Sequence, residues 1–135
     1  MQPAITRAPV NPWEWSLRLG YSQAERIEGA SRHLVCAGQT SVDNNGHPQH
    51  EGDMRGQIML ALDNLEAVLA AGGMGLVDIV RLTVATTDVD EALRHFDLLG
   101  ARFGPLGATP PQTLLGVSRL ALPQLMIEFE ATAMQ

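Results

Sequence analysis

Leu125-Met126-Ile127-Glu128-Phe129-Glu130-Ala131-Thr132-Ala133-Met134 alternates without a break. Leu125, Ile127, Phe129, Ala131 and Ala133 point one way; Met126, Glu128, Glu130 and Thr132 point the other. That is the pattern of a half-buried strand, with one apolar face that needs a covering layer and one mixed face. The covering layer is found upstream. Met54, Ile58, Ala61, Leu62, Leu65, Val68 and Leu69 recur at helical spacing, which predicts a helix from about Asp53 to Ala71. Asp53 is its candidate N-cap and Gly72-Gly73 its stop. A second apolar stripe, Ala92, Phe96, Leu99 and Phe103, predicts a helix from Val89 to Phe103. Asp88 and Glu91 have capping-box spacing, and Gly104-Pro105 ends the helix.

The other segments read as strands. Tyr21 to Ile27 and His33 to Thr40 flank a turn at Glu28-Gly29, and Asn44-Asn45-Gly46 marks a tight turn with room for a short extra strand beside it. Asp78 to Thr87 contains the β-branched run expected of a buried strand. Thr113 to Leu120 joins the last strand through a turn near Pro123. The order is two or three strands, helix, strand, helix, two strands. The simplest α/β (α+β) solution is a single sheet with two helices packed on one face, its other face free to line a cleft or a subunit interface. A length of 135 residues suits one domain over the whole chain.

Composition removes several functions. Net charge is -6, and the basic residues are scattered, so a nucleic acid is not the expected partner. All nine basic residues are arginine. Without lysine there is no Schiff-base chemistry and no P-loop lysine. Cys36 is the single cysteine, which fits a reducing compartment and allows neither an intrachain disulfide nor a cysteine zinc cluster. Met1 to Asn11 lacks signal-peptide character, and no apolar run is long enough for a membrane span, so a cytoplasmic protein is expected.

Glu128 and Glu130 share one strand face roughly 6.6 Å apart and could divide acid and base roles, or simply be a solvated face. His47, His50, Glu51 and Asp53 share a loop without an established zinc pattern; solvated turn residues explain them, and no metal site is expected. Trp13 and Trp15 either wall a ligand site or cap one end of the core. Pro110-Pro111 hold the start of the penultimate strand rigid, as a plain strand start or as a binding rim that begins at Gln112.

Tyr21-Ser22-Gln23-Ala24, Ala37-Gly38-Gln39, Leu65-Glu66-Ala67-Val68-Leu69, Thr83 to Asp88 and Ile127-Glu128-Phe129-Glu130-Ala131 occur in an order and spacing that resemble the RidA (YjgF/YER057c/UK114) family. The likeness covers nearly all of the chain after Leu19. It implies a chorismate-mutase-like fold and a homotrimer with small-molecule clefts between subunits. It also implies hydrolysis of enamines or imines to a keto acid and ammonia, with no cofactor. The family's tyrosine and water-orienting glutamate match Tyr21 and Glu128. Its carboxylate-gripping arginine does not match: Gln112 stands there, as in a branch lacking that arginine. Arg119 resembles a structural arginine of the family, expected on the opposite strand face from Gln112. An asparagine of some deaminases corresponds to Phe96. The expected site is therefore Tyr21 and Glu128 as catalytic groups, with Gln112, Leu114, Phe96, Trp13 and Trp15 around the substrate. Three functions follow: a C–N hydrolase, a non-catalytic metabolite-binding trimer, or a holdase-like interaction protein.

Overall fold

A computed structural model describes residues 5–135. The first residues of the Met1 to Asn11 segment therefore lie outside the described ones. Four strands form the main sheet: β3 (His33–Val35), β6 (Ile127–Met134), β4 (Ile79–Thr86) and β5 (Gln112–Gly116), in that spatial order. The β3–β6 and β6–β4 pairs are antiparallel, and β4–β5 is parallel. The central strand β6 is the alternating stretch read above. Leu125, Ile127, Phe129, Ala131 and Ala133 are all buried.

Helix α1 (Met54–Ala71) covers that apolar face. Asp53 caps it by accepting from the Gly56 amide at 3.0 Å, and Gly72 terminates it. Ile58, Ala61, Leu62, Leu65 and Leu69 are fully buried against Leu82, Val84, Ile127 and Phe129. Each such leucine or isoleucine side chain contributes roughly 1.5–3 kcal/mol on burial. Gln57 is equally buried, and its amide is fully engaged. It donates to the His50 and Gln124 carbonyls at 3.1 and 2.9 Å and accepts from the Met126 amide at 2.8 Å. It thereby pins the entry to β6, two residues before Glu128.

Three expectations change. The sheet is not single: β1 (Thr6–Val10) and β2 (Ala24–Glu28) form a separate antiparallel ribbon. Arg7 pairs with Glu25 inside this ribbon and ties it to the start of β4 through the Val77 and Ile79 carbonyls. The second helix is broken into α2 (Val89–Leu93) and α3 (Asp97–Phe103). At the break, the amides of His95, Phe96, Leu98 and Leu99 bond three residues back, to Ala92, Leu93, His95 and Phe96. This is the tighter 3-10 pattern, and it re-aims the chain at Phe96. Lastly, β5 ends at Gly116, so strand alternation does not extend to the exposed Arg119.

Candidate functional site

Strand register determines which side chains can meet. Gln112 pairs with Leu82, and Leu114 with Val84. Leu82 and Val84 belong to the core, so Gln112 and Leu114 lie on the helix-facing side of the sheet. There they help line a cleft of about 360 Å3 with Tyr21, Phe96 and Leu93. The Gln112 amide has no hydrogen-bond partner among the described residues. It is left to face the cleft. Leu93 ends α2 half exposed, and Phe96 reaches the cleft because the helix breaks just before it.

The two tryptophans differ. Trp15 meets the Tyr21 ring edge-on, with centroids 6.1 Å apart and an interplanar angle of 85°, so it braces the tyrosine from behind. Trp13 is 61% exposed, and neither tryptophan lines this cleft, so the expected place of both around the substrate is not borne out.

Glu128 is elsewhere. It pairs with Ala85 across β4–β6, on the opposite face from Leu82 and Val84. Gln112 and Glu128 therefore occupy opposite faces of one sheet and cannot act on one molecule within a single chain. The Glu128 carboxylate is half-buried and has neither hydrogen bond nor ion pair among the described residues. Burial first, and then the neighbouring Glu130 carboxylate, push its carboxyl above the ordinary glutamate range. Such a group can take up and return a proton nearer neutrality.

Sequence reasoning assigned no role to Gly38, which makes room for Glu128. The Gln39 amide bonds the Phe129 carbonyl at 2.7 Å and the Phe129 amide bonds back at 2.9 Å, which lays Ala37 to Gln39 alongside β6. A Cβ on Gly38 would stand 2.5 Å from both Cδ and Oε1 of Glu128. Glycine there leaves the Glu128 carboxylate in its place, a close approach that spacing alone does not signal.

The His47 to Asp53 loop folds on itself. Asp43 accepts from the Asn45 and His47 amides, each at 2.9 Å, which closes the Asn44-Asn45-Gly46 turn, while Asp53 serves as the α1 cap. Among the described residues, no three His, Cys, Asp or Glu side chains converge as a metal site would require. No described helix is long and apolar enough to cross a membrane.

Residues 16–135 match the family model described as endoribonuclease L-PSP. The chain belongs to that family, whose members are the YjgF/YER057c/UK114 or Rid proteins. A RutC family protein of Pyrococcus horikoshii is 32% identical over 113 residues, 84% of this chain and 85% of its own. The solved structure of YyfB from Yersinia pestis, a Rid-family protein of unknown function, superposes with a TM-score of 0.83 at 33% identity, covering 96% of this chain and 98% of that one. TdcF of Escherichia coli, solved with serine bound, has a TM-score of 0.68 at 27% identity, covering 85% of this chain and 87% of its own. TdcF carries the name reactive intermediate deaminase by provisional assignment. The Rid fold thus extends over nearly all of the chain.

Proposed function

We propose that this Rid-family chain hydrolyses a small C=N compound in a cleft completed by a second copy of itself, as expected of a homotrimer. One observation carries the reading: the binding half, Tyr21, Phe96, Gln112 and Leu114, and the basic half, Glu128 beside Gly38, lie on opposite faces of one sheet. A carboxylate held unpaired with a raised affinity for protons suits proton transfer, and a neighbouring copy is what would bring it to the cleft.

The reaction needs no cofactor. Glu128 accepts a proton from water as the water oxygen bonds to the imine carbon. The π electron pair moves to nitrogen, which takes that proton back from Glu128. Glu128 then carries the hydroxyl proton of the carbinolamine to nitrogen as the C–N bond breaks, leaving ammonia, a carbonyl product and Glu128 as it began; one water is consumed per ammonia released. Tyr21 closes the cleft, and Gln112 hydrogen-bonds the substrate. A neutral amide replaces a charged fork at that point, so the substrate is held with less demand for a carboxylate.

The test is ammonia release from freshly generated 2-iminobutanoate, with the native protein beside Gln112→Arg. Slow turnover by the native protein is expected, raised about ten-fold in the variant by one charge-assisted contact. Absence of turnover in both would end the hydrolase reading and leave the metabolite-binding alternative.

A further inference from the structure

Leu19, Phe96 and Gln112 also border a second chamber, of about 400 Å3. Its wall is apolar, with Leu99 and Phe103 of α3 buried and Phe96 half-buried. Bare backbone borders it as well. A Cβ at Gly100 or Gly104 would meet no atom within 4 Å. Pockets for small organic molecules span roughly 300–1,000 Å3, so this volume is sufficient for one.

Among the described residues, Arg18 is the one charged side chain along this lining. It has no hydrogen bond or ion pair among the described residues. Glu14 shares a shallow outer depression with Arg18 but does not pair with it. The Thr109 hydroxyl, another polar group of the wall, is already engaged with Ser22 Oγ at 3.0 Å. Arg18 is held at the chamber by a single 3-10 turn, Leu17–Leu19, closed by the Gly20 amide on the Leu17 carbonyl at 3.1 Å. Gly20 follows at φ 88, a left-handed conformation that glycine adopts freely. The chain's net charge of -6 repels anions at long range, which makes an unpaired guanidinium beside an apolar chamber a local exception.

We propose that this chamber binds an amphipathic monocarboxylate, its apolar body against Phe96, Leu99 and Phe103 and its carboxylate on Arg18. The site shares Phe96 with the adjoining cleft but does not depend on hydrolysis there. It is read by binding, so its failure and the failure of the hydrolytic reading are separate results.

The experiment is calorimetric titration of the full chain with 4-phenylbutanoate, its neutral amide, and acetate. The carboxylate is expected to bind about five- to ten-fold more tightly than the amide, as for one charge-assisted contact at an exposed arginine. Acetate, lacking the apolar body, shows no measurable binding. Arg18→Gln equalises carboxylate and amide. Gly100→Leu fills the chamber and weakens both, while a good helix former in α3 keeps the thermal midpoint at or above the native value. If Gly100→Leu lowers that midpoint, the Arg18→Gln comparison decides alone. Equal binding of carboxylate and amide to the native protein, an unchanged preference in Arg18→Gln, acetate binding as tight as phenylbutanoate, or no binding at all would each overturn the proposal.

Discussion

The helical layer and the open face of the sheet handle charge in opposite ways. Across α1, α2 and α3 every carboxylate except that of Asp90 is partnered. Arg55 grips Asp97 with two bonds of 3.0 and 2.9 Å, Arg94 and His95 both meet Glu91, and Arg102 joins Asp63 and Glu66. On the open face, Glu128 and Glu130 have no such partner among the described residues, although Arg81 and Thr83 lie on the same face. Exposed ion pairs add modest stability and fasten helix to helix. A half-buried carboxylate without a partner is destabilised in its charged form, and the strand sequence retains it. The difference separates surface that maintains the fold from the surface on which the proposed hydrolysis would draw.

The sharpest way to break this comparison is Glu128→Gln. Loss of the base is expected to lower turnover about 100-fold or more. Stability should move the other way. The Glu128 pKa is raised in the folded state, so its favourable contribution is present below the unfolded pKa and is lost as pH rises through the folded one. The glutamine variant should therefore melt higher than the native protein at neutral pH and show no such gain in acid. A lower melting point at neutral pH would return Glu128 to the structural side of the comparison.

Gly38→Ala should give a smaller effect on the same face. The added methyl would overlap the far end of a flexible side chain, so the Glu128 carboxylate swings aside and the backbone stays in place. Turnover is expected to fall about ten-fold from lost positioning. The stability change should stay within about 0.5 kcal/mol. Equal losses of activity and stability would show that the glycine supports the fold alone.

Asp97→Asn on the helical layer is the weakest perturbation. Its hydrogen bonds with Arg55 hold the Asp97 carboxyl below the ordinary range. Its contribution is thus present above the unfolded pKa and disappears as pH falls through the folded one. A slight drop in melting temperature is expected at neutral pH, vanishing in acid and shrinking in high salt, with turnover unchanged. A drop that persists in acid would mean the pair is not its source.

Much of the fold was legible because α1 and β6 each keep one period throughout their length. Asp53 as a cap and Gly72-Gly73 as a stop could be read for the same reason. The break at Arg94 to Phe96 could not be read, because Ala92, Phe96, Leu99 and Phe103 keep helical spacing straight through it. The β1–β2 ribbon was hidden in another way. Thr6, Ala8, Pro9 and Val10 are exposed, so the segment carries little alternation to read. At the candidate site, Tyr21, Phe96, Gln112 and Leu114 could be named from the sequence. The separation of Gln112 from Glu128 by the thickness of the sheet could not, because it depends on the registers of β4 with β5 and β6. Arg18 was one scattered basic residue until a chamber lay beside it.

The central claim is that the two halves of the site come from two copies of the chain. Subunit mixing tests it most directly. Glu128→Gln and Gln112→Leu proteins are dissociated, combined in equal amounts, reassembled and assayed for ammonia release from 2-iminobutanoate. Each variant alone is expected to be inactive, and random assortment should restore about a quarter of the native clefts, each built from one intact half of either parent. A mixture as inactive as its parents, from subunits shown to have exchanged, would contradict the account.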